Sequence, residues 1–264
     1  YCRLVESAVE RGIMNWDIMN YRRGGLSEKM IPIRDTAARR GFPLITILLI
    51  VANVLVFLYQ QMLSPEQIYE FIYTYGTVPA ELTAGIAQFF RSGFKLPLLL
   101  PAALPLVTAN FLHGGWLHLI GNMIYLWIFG DNVEDRLGHL SFLVTYLLMG
   151  AGSQLFHVFT APEGQIPLVG ASGAIAGVLG AYFVLFPRAR VLTLLPLGFF
   201  ITFVHIPAVV FLAFWFILQL INATAQGLAM GVQPVAWWAH VGGFLIGIIV
   251  GVVKRRERLR YYRE

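Results

Sequence analysis

Gly170-Ala171-Ser172-Gly173 follows a loop over 162–169 that carries two prolines, and it opens an apolar run that continues to Phe186. A serine directly before an apolar helix serves most simply as an N-cap, its oxygen accepting an orphan backbone N–H. This serine, however, keeps company with His118, Asn122 and His240, each near the start of another apolar run. Whether the chain brings the four together decides both the fold and the chemistry.

The chain has 264 residues, of which 58% are hydrophobic and only 12% charged, with a mean hydropathy of +0.69. A soluble domain of that length cannot cover its surface with so few polar groups, so the expected class is an all-α, polytopic membrane protein. Six runs approach the roughly 20 apolar residues that cross a bilayer: 42–63, 117–133, 140–159, 170–186, 206–221 and 236–253. Several are short, which suits helices that begin below the membrane surface beside a water-filled cavity. The chain begins at Tyr1 rather than Met, as a fragment or a processed chain would, and no signal peptide is recognisable. Cys2, the single cysteine, excludes an internal disulfide and leaves the compartment open.

Lys and Arg are retained on the cytoplasmic side of a membrane. Seventeen of the 19 basic residues precede the first run, follow the second or fourth, or lie in the tail after 253. They share one side if there are six spans and both termini are cytoplasmic; only Arg91 and Lys95 fall outside. The net charge of +5 then reflects topology and an anionic inner leaflet, not nucleic-acid binding. The expected division is a cytoplasmic extension over 1–41, a six-helix membrane domain over 42–253, and a basic tail over 254–264. The connection 64–116, broken by five prolines, suits segments lying in the interface better than a seventh span. The stretch 192–205, bracketed by Pro196 and Pro207 and loosened by Gly198, reads as an interfacial connection on the cytoplasmic side.

In that topology the second, fourth and sixth runs all descend from the outer face, so His118, Asn122, Ser172 and His240 lie at a similar depth. Ser172, Ala176 and Gly180 share one helix face, with Gly173 and Gly177 beside it; His240, Gly243, Gly247 and Gly251 share another. Small residues let helices approach closely in lipid, and contact between these stripes would bring the Ser172 hydroxyl to the His240 imidazole. His118 and Asn122, spaced i and i+4, point the same way and face either a cavity or a structural partner.

A serine becomes nucleophilic when a base takes its proton, and histidine suits that task. Asn122, His118 and the Ser172 N–H could supply donors to an oxyanion. No acid lies within the fourth or sixth run to orient the histidine, so serine catalysis here implies a dyad. A zinc site on His113, His118 and His240 is the other active-site class, although it leaves Asn122 and Ser172 idle. His139, His157 and His205 read as structural.

The chain resembles the rhomboid family of intramembrane serine proteases. Three motifs carry the resemblance: His113-Gly114-Gly115-Trp116-Leu117-His118-Leu119-Ile120-Gly121-Asn122, Gly170-Ala171-Ser172-Gly173, and Ala239-His240-Val241-Gly242-Gly243 with the glycine stripe that follows. The resemblance implies a six-helix core with Ser172 as nucleophile, His240 as general base, and His118 and Asn122 as oxyanion donors. His113, Gly170, Gly173 and Gly243 belong to the supporting motifs. It further implies an interfacial first loop over 64–116, a fifth helix acting as a lateral gate, and a site open to water on the external side. Two departures stand out: the family's Trp-Arg pair is missing from 96–106, and Ala176 occupies a position where an aromatic residue often stacks near the histidine.

The expected activity is cleavage of single-span membrane proteins within the lipid bilayer, without cofactor or metal. The expected location is the plasma membrane, on the pattern of a bacterial inner membrane, and the oligomeric state is left open. A rhomboid-like protein that holds clients without cutting them usually lacks the serine or the histidine, and this chain has both. A transporter would carry its ionisable residues at the bilayer midplane on facing helices; here the polar set gathers at one end.

Overall fold

The computed structural model describes residues 30–39, 41–197, 200–228 and 235–261. Helix α1 spans Leu44–Gln60, and the connection after it forms α2 (Pro65–Tyr75), α3 (Pro79–Arg91), α4 (Leu96–Ala103) and the single turn α5 (Pro105–Thr108). Each of these four begins with proline at its first or second position, where the missing N–H costs nothing and φ is already helical. Helix α6 (Trp116–Tyr125) continues through a π-helical segment, Leu126–Gly130, into α7 (Asp131–Leu137). Four more helices follow: α8 (His139–Thr160), α9 (Ser172–Leu185), α10 (Ala208–Leu228) and α11 (Trp237–Tyr261).

Three helices, within α8, α10 and α11, are long and apolar enough to cross a membrane. A fourth span results if Leu96–Phe111 and Trp116–Leu137, bent by 80° to one another, count as one. The chain is a mostly helical, multi-pass membrane protein. That 80° turn also directs the proline-containing stretch across, rather than along, the helix that follows it.

Helix α9 is the axis of the bundle. Every residue from Gly173 to Tyr182 is buried, as expected of a helix that is apolar all round and enclosed by protein. Against it lies α11, so close that a Cβ on Gly243 would stand 2.1 Å from the Gly173 carbonyl oxygen, and one on Gly247 only 1.9 Å from that of Gly177. A Cβ on Gly180 would meet the Phe244 oxygen at 2.1 Å. The expected contact of the two glycine stripes therefore exists, with one refinement. On α9 the approach at the upper turns is made by the carbonyls of Gly173 and Gly177, while their missing side chains make room for Ser153 and Met149 of α8.

The all-α expectation requires correction, because three strands form an antiparallel sheet in the order β1-β2-β3: β1 (Ile31–Asp35), β2 (Arg190–Leu197) and β3 (Phe200–Pro207). By themselves Pro196, Gly198 and Pro207 suggest an interfacial connection without regular structure. Val191, Thr193, Ile201, Thr202 and Val204 are instead β-branched residues at strand positions, and Val191 and Thr193 alternate into the core while Phe203 and Val204 face outward. Residues 31–35, expected in the N-terminal extension, pair with 191–194. Residues 1–29 and 40, which carry most of the expected extension, and 262–264, at the end of the tail, lie outside the described residues. Asp35 ties the sheet to the bundle, accepting hydrogen bonds from the Tyr182 hydroxyl and, at 3.0 Å, from Asn132. Burial raises the Asp35 pKa above the ordinary carboxylate range, against the lowering effect of those bonds.

Helix α1 has no side-chain cap of its own. Glu134, 1% exposed, reaches across from α7 and accepts from the N–H groups of Ile45 and Thr46, both at 2.8 Å, and from the Thr46 hydroxyl at 2.7 Å. A carboxylate at a helix N-terminus satisfies orphan donors and complements the helix dipole. Glu134→Ala strands these donors in the interior and is expected to cost about 3 kcal/mol. Thermal unfolding in detergent measures it, and an unchanged midpoint would show that water replaces the carboxylate.

Candidate active site

Ser172 is the first residue of α9, and the residue before it, Ala171, makes no side-chain cap bond. The serine oxygen points instead at α11, where His240 Nε2 lies 2.8 Å from Ser172 Oγ. Helix contact over the glycines brings them together, since His240 and Gly243 stand one turn apart on the same face.

The other imidazole nitrogen is held by a residue that the sequence reading missed. Gln219 of α10 places its Oε1 2.9 Å from His240 Nδ1. Its amide nitrogen donates to the Trp215 carbonyl at 3.2 Å, which leaves the oxygen as the group facing the histidine. An oxygen there accepts, so Nδ1 carries the proton and Nε2 presents its lone pair to the serine hydroxyl. The only sequence signal was a lone amide inside the apolar run 206–221, of the kind that seeks a partner within a membrane.

Ala176 supplies no ring beside the histidine, yet His240 is not bare. Trp215 lies at 6.1 Å between ring centroids, tilted by 33°, and Trp237 meets it edge-on at 5.8 Å. Both tryptophans come from helices other than the one where the family pattern has its aromatic residue.

His118 and Asn122 of α6 face the backbone just before Ser172. Gly170 adopts φ +122°, and a Cβ there would stand 2.7 Å from His118 Nε2 and 3.7 Å from Asn122 Nδ2. Glycine is needed both for the backbone conformation and for the space. The Gly114 N–H makes a long contact, 3.5 Å, to His118 Nδ1, which directs the Nε2 proton toward Gly170. Asn122 Nδ2 lies 2.9 Å from His113 Nε2, so one amide hydrogen is used in orienting the side chain and the second stays available. His113 is itself clamped by Gln60, whose amide bonds its backbone N–H at 3.0 Å and its carbonyl at 3.2 Å. Gln60 is a second supporting residue absent from the sequence reading.

Among the described residues no group of three or more His, Cys, Asp or Glu side chains is arranged to hold a metal ion. The imagined ligand set of His113, His118 and His240 also conflicts with the bonds above, because both nitrogens of His240 are engaged by Ser172 and Gln219. Beside Ser172 and Gly173 lies a small cavity of about 20 Å³, lined in part by Ser153, Gln154 and Ala236.

The Rhomboid domain model matches residues 102–257. The chain is 29% identical over 163 residues to Rhomboid protein 1, mitochondrial, of Saccharomyces cerevisiae, covering 58% of this chain and 44% of that protein. It is 32% identical to Presenilin-associated rhomboid-like protein A, mitochondrial, of Danio rerio, over 62% of this chain and 40% of that one. Rhomboid-like protein 11, chloroplastic, of Arabidopsis thaliana is 32% identical over 57% of this chain and 52% of its own length. The chain thus spans about half the length of these curated relatives or somewhat less. With more than half its residues matched by the domain model, and the motif-bearing helices inside that match, the chain belongs to the rhomboid family.

Proposed function

We propose that this protein is an intramembrane serine endopeptidase that cuts single-span membrane proteins near the outer ends of their helices. The observation that carries this reading is the 2.8 Å contact between Ser172 Oγ and His240 Nε2. His240 takes the hydroxyl proton as Ser172 Oγ attacks the scissile carbonyl carbon. The resulting oxyanion accepts hydrogen bonds from Asn122, His118 and the Ser172 N–H, donors already fixed in place before the charge develops. His240 then returns the proton to the leaving amine, the C–N bond breaks, and an acyl-enzyme ester remains on Ser172. A water activated by the same imidazole hydrolyses the ester. The cavity beside Ser172, with Ser153 and Gln154 in its wall, is large enough for one such water.

The proposed topology has six spans. Besides α8, α10, α11 and the bent segment through α6 and α7, the two shorter apolar helices α1 and α9 complete it. At 1.5 Å per residue the 14 residues of α9 extend only about 21 Å, so Ser172 starts below the outer surface. The membrane unit is 42–253, flanked by the extension and basic tail, and its partners are single-span substrates and the lipid bilayer, not nucleic acid. Basic residues stay on the side from which a chain inserts, which argues for both termini on that side. The plasma-membrane location expected from the sequence has no counterpart among the relatives named above, which are mitochondrial or chloroplastic. A substrate helix must unwind to expose a carbonyl, so helix-weakening residues around the cut are expected.

The test is purified protein in liposomes with a single-span substrate. A new terminus mapped to the membrane segment, still produced in chelator, supports the reading; an intact substrate or chelator-sensitive cleavage contradicts it.

Gln219 serves here as a positioning residue. Gln219→Leu, which removes the acceptor for Nδ1–H, is expected to lower kcat between about 10- and 100-fold with KM unchanged. Gln219→Glu keeps an oxygen at that position and is expected to recover most of the loss. Equal rates in the Leu variant and the parent would remove Gln219 from the mechanism.

A further inference from the structure

At the end of the bundle remote from Ser172 lies a cavity of about 790 Å³. It opens beyond Leu185, the last residue of α9, 13 residues and about 20 Å along the helix from the serine. Four cationic side chains from three separate stretches line it: Arg136 in the last turn of α7, Arg188 after α9, and Lys254 and Arg255 on α11. Its floor is apolar and includes Leu185 and Phe186. The Arg136 guanidinium lies 4.8 Å over the Phe186 ring, which fixes one cation at the rim. Lys254 pairs with Glu257 at 3.2 Å, but Glu257 is outside the wall, and no carboxylate lines the cavity among the described residues.

Retention of basic residues on one side of a membrane requires only that they be there. It does not require three segments to aim them into one apolar-floored space without a carboxylate, an arrangement costly in mutual repulsion unless an anion enters. Apolar residues share the wall with the cations: Leu185 and Phe186 at the end of α9, with Pro187 and Ala189 after it. A ligand with an anionic head and an apolar tail matches both parts, the head among the cations and the first carbons of the tail against Leu185 and Phe186.

We propose that this cavity binds the phosphate of an anionic membrane phospholipid. The Arg136 and Arg188 guanidinium groups are suited to bidentate bonds with the phosphodiester oxygens, with Lys254 and Arg255 contributing charge. The site is independent of the proteolytic reading, since neither the dyad nor any oxyanion donor takes part.

The test uses the full chain in neutral detergent, with dioctanoyl phosphatidylglycerol, the matching phosphatidylcholine and inorganic phosphate as probes, and native mass spectrometry as the readout of occupancy. Phosphatidylglycerol is expected to bind at one copy per chain and phosphatidylcholine far more weakly. The double variant R136Q/R188Q is expected to bind the anionic lipid about 30-fold more weakly. The charge-matched control R91Q/K95Q, altered away from the cavity, should bind as the parent does. Should the double variant fail to fold, R136Q and R188Q singly should each weaken binding about fivefold. Equal binding by parent and cavity variants, or equal binding of the two lipids, would overturn the proposal. Displacement of the lipid by millimolar phosphate would identify a free-anion site instead and overturn it as well.

Discussion

Ser172→Ala is expected to reduce cleavage of a single-span substrate by about 10³-fold or more, and His240→Ala by a similar factor. The alcohol is a weak nucleophile without the imidazole 2.8 Å away, and the imidazole has nothing to activate without the alcohol. Removing both should therefore cost little more than removing either, because the two act as a unit. Neither change should unfold the protein: Ser172 is not a helix cap, and the packing of α9 on α11 depends on glycines elsewhere. Rates measured in liposomes, with thermal unfolding as the control, decide the matter. Additive losses in the double variant would mean that the residues work separately, and retained cleavage in either single variant would end the dyad assignment.

The second large effect is structural. A single methyl added at Gly247 would stand 1.9 Å from the Gly177 oxygen and 2.6 Å from its carbonyl carbon. These are backbone atoms in the bundle's central helix, with no flexible side chain to move aside. Helices α9 and α11 must separate, and His240, seven residues and about 10 Å up the helix, moves with them. Gly247→Ala is expected to cost 4 kcal/mol or more, roughly the upper end for single substitutions, and to abolish activity with an intact dyad. Gly121→Ala provides the control, since a Cβ there meets nothing within 4 Å. In that helix the better propensity of alanine should leave stability unchanged or raise it by up to about 1 kcal/mol. Similar melting midpoints for the two variants would show that the close approach is not what holds the bundle.

The pairing of Ser172 with His240 was legible because two independent patterns converge on it. Basic loops suggest a direction for each expected span, and run boundaries suggest a depth for each polar residue. Helical spacing then aligns His240 with Gly243, Gly247 and Gly251. Rotation about a helix axis is less well specified, and this is where the structure adds most. Gly173 and Gly177 turn their missing side chains toward Ser153 and Met149, a detail that a shared face cannot resolve. Gln219 stood out only as a lone amide in an apolar run, and for the same reason its partner was not legible: nothing in that run says which residue of α10 will meet the histidine of α11. The cover over His240 came from Trp215 and Trp237, although the sequence pattern directed attention to position 176. The sheet was missed because Pro196 and Gly198 weigh as breakers in isolation. Pairing between 31–35 and 191–194 joins stretches that only the folded bundle makes neighbours.

Mass mapping of a fluorophosphonate adduct tests the central claim most directly, because the reagent reports an activated serine without needing the natural substrate. The adduct is predicted on Ser172, indifferent to chelator, and lost in His240→Ala protein that remains folded. Labelling of another residue, or labelling of Ser172 at the same rate without His240, would contradict the account.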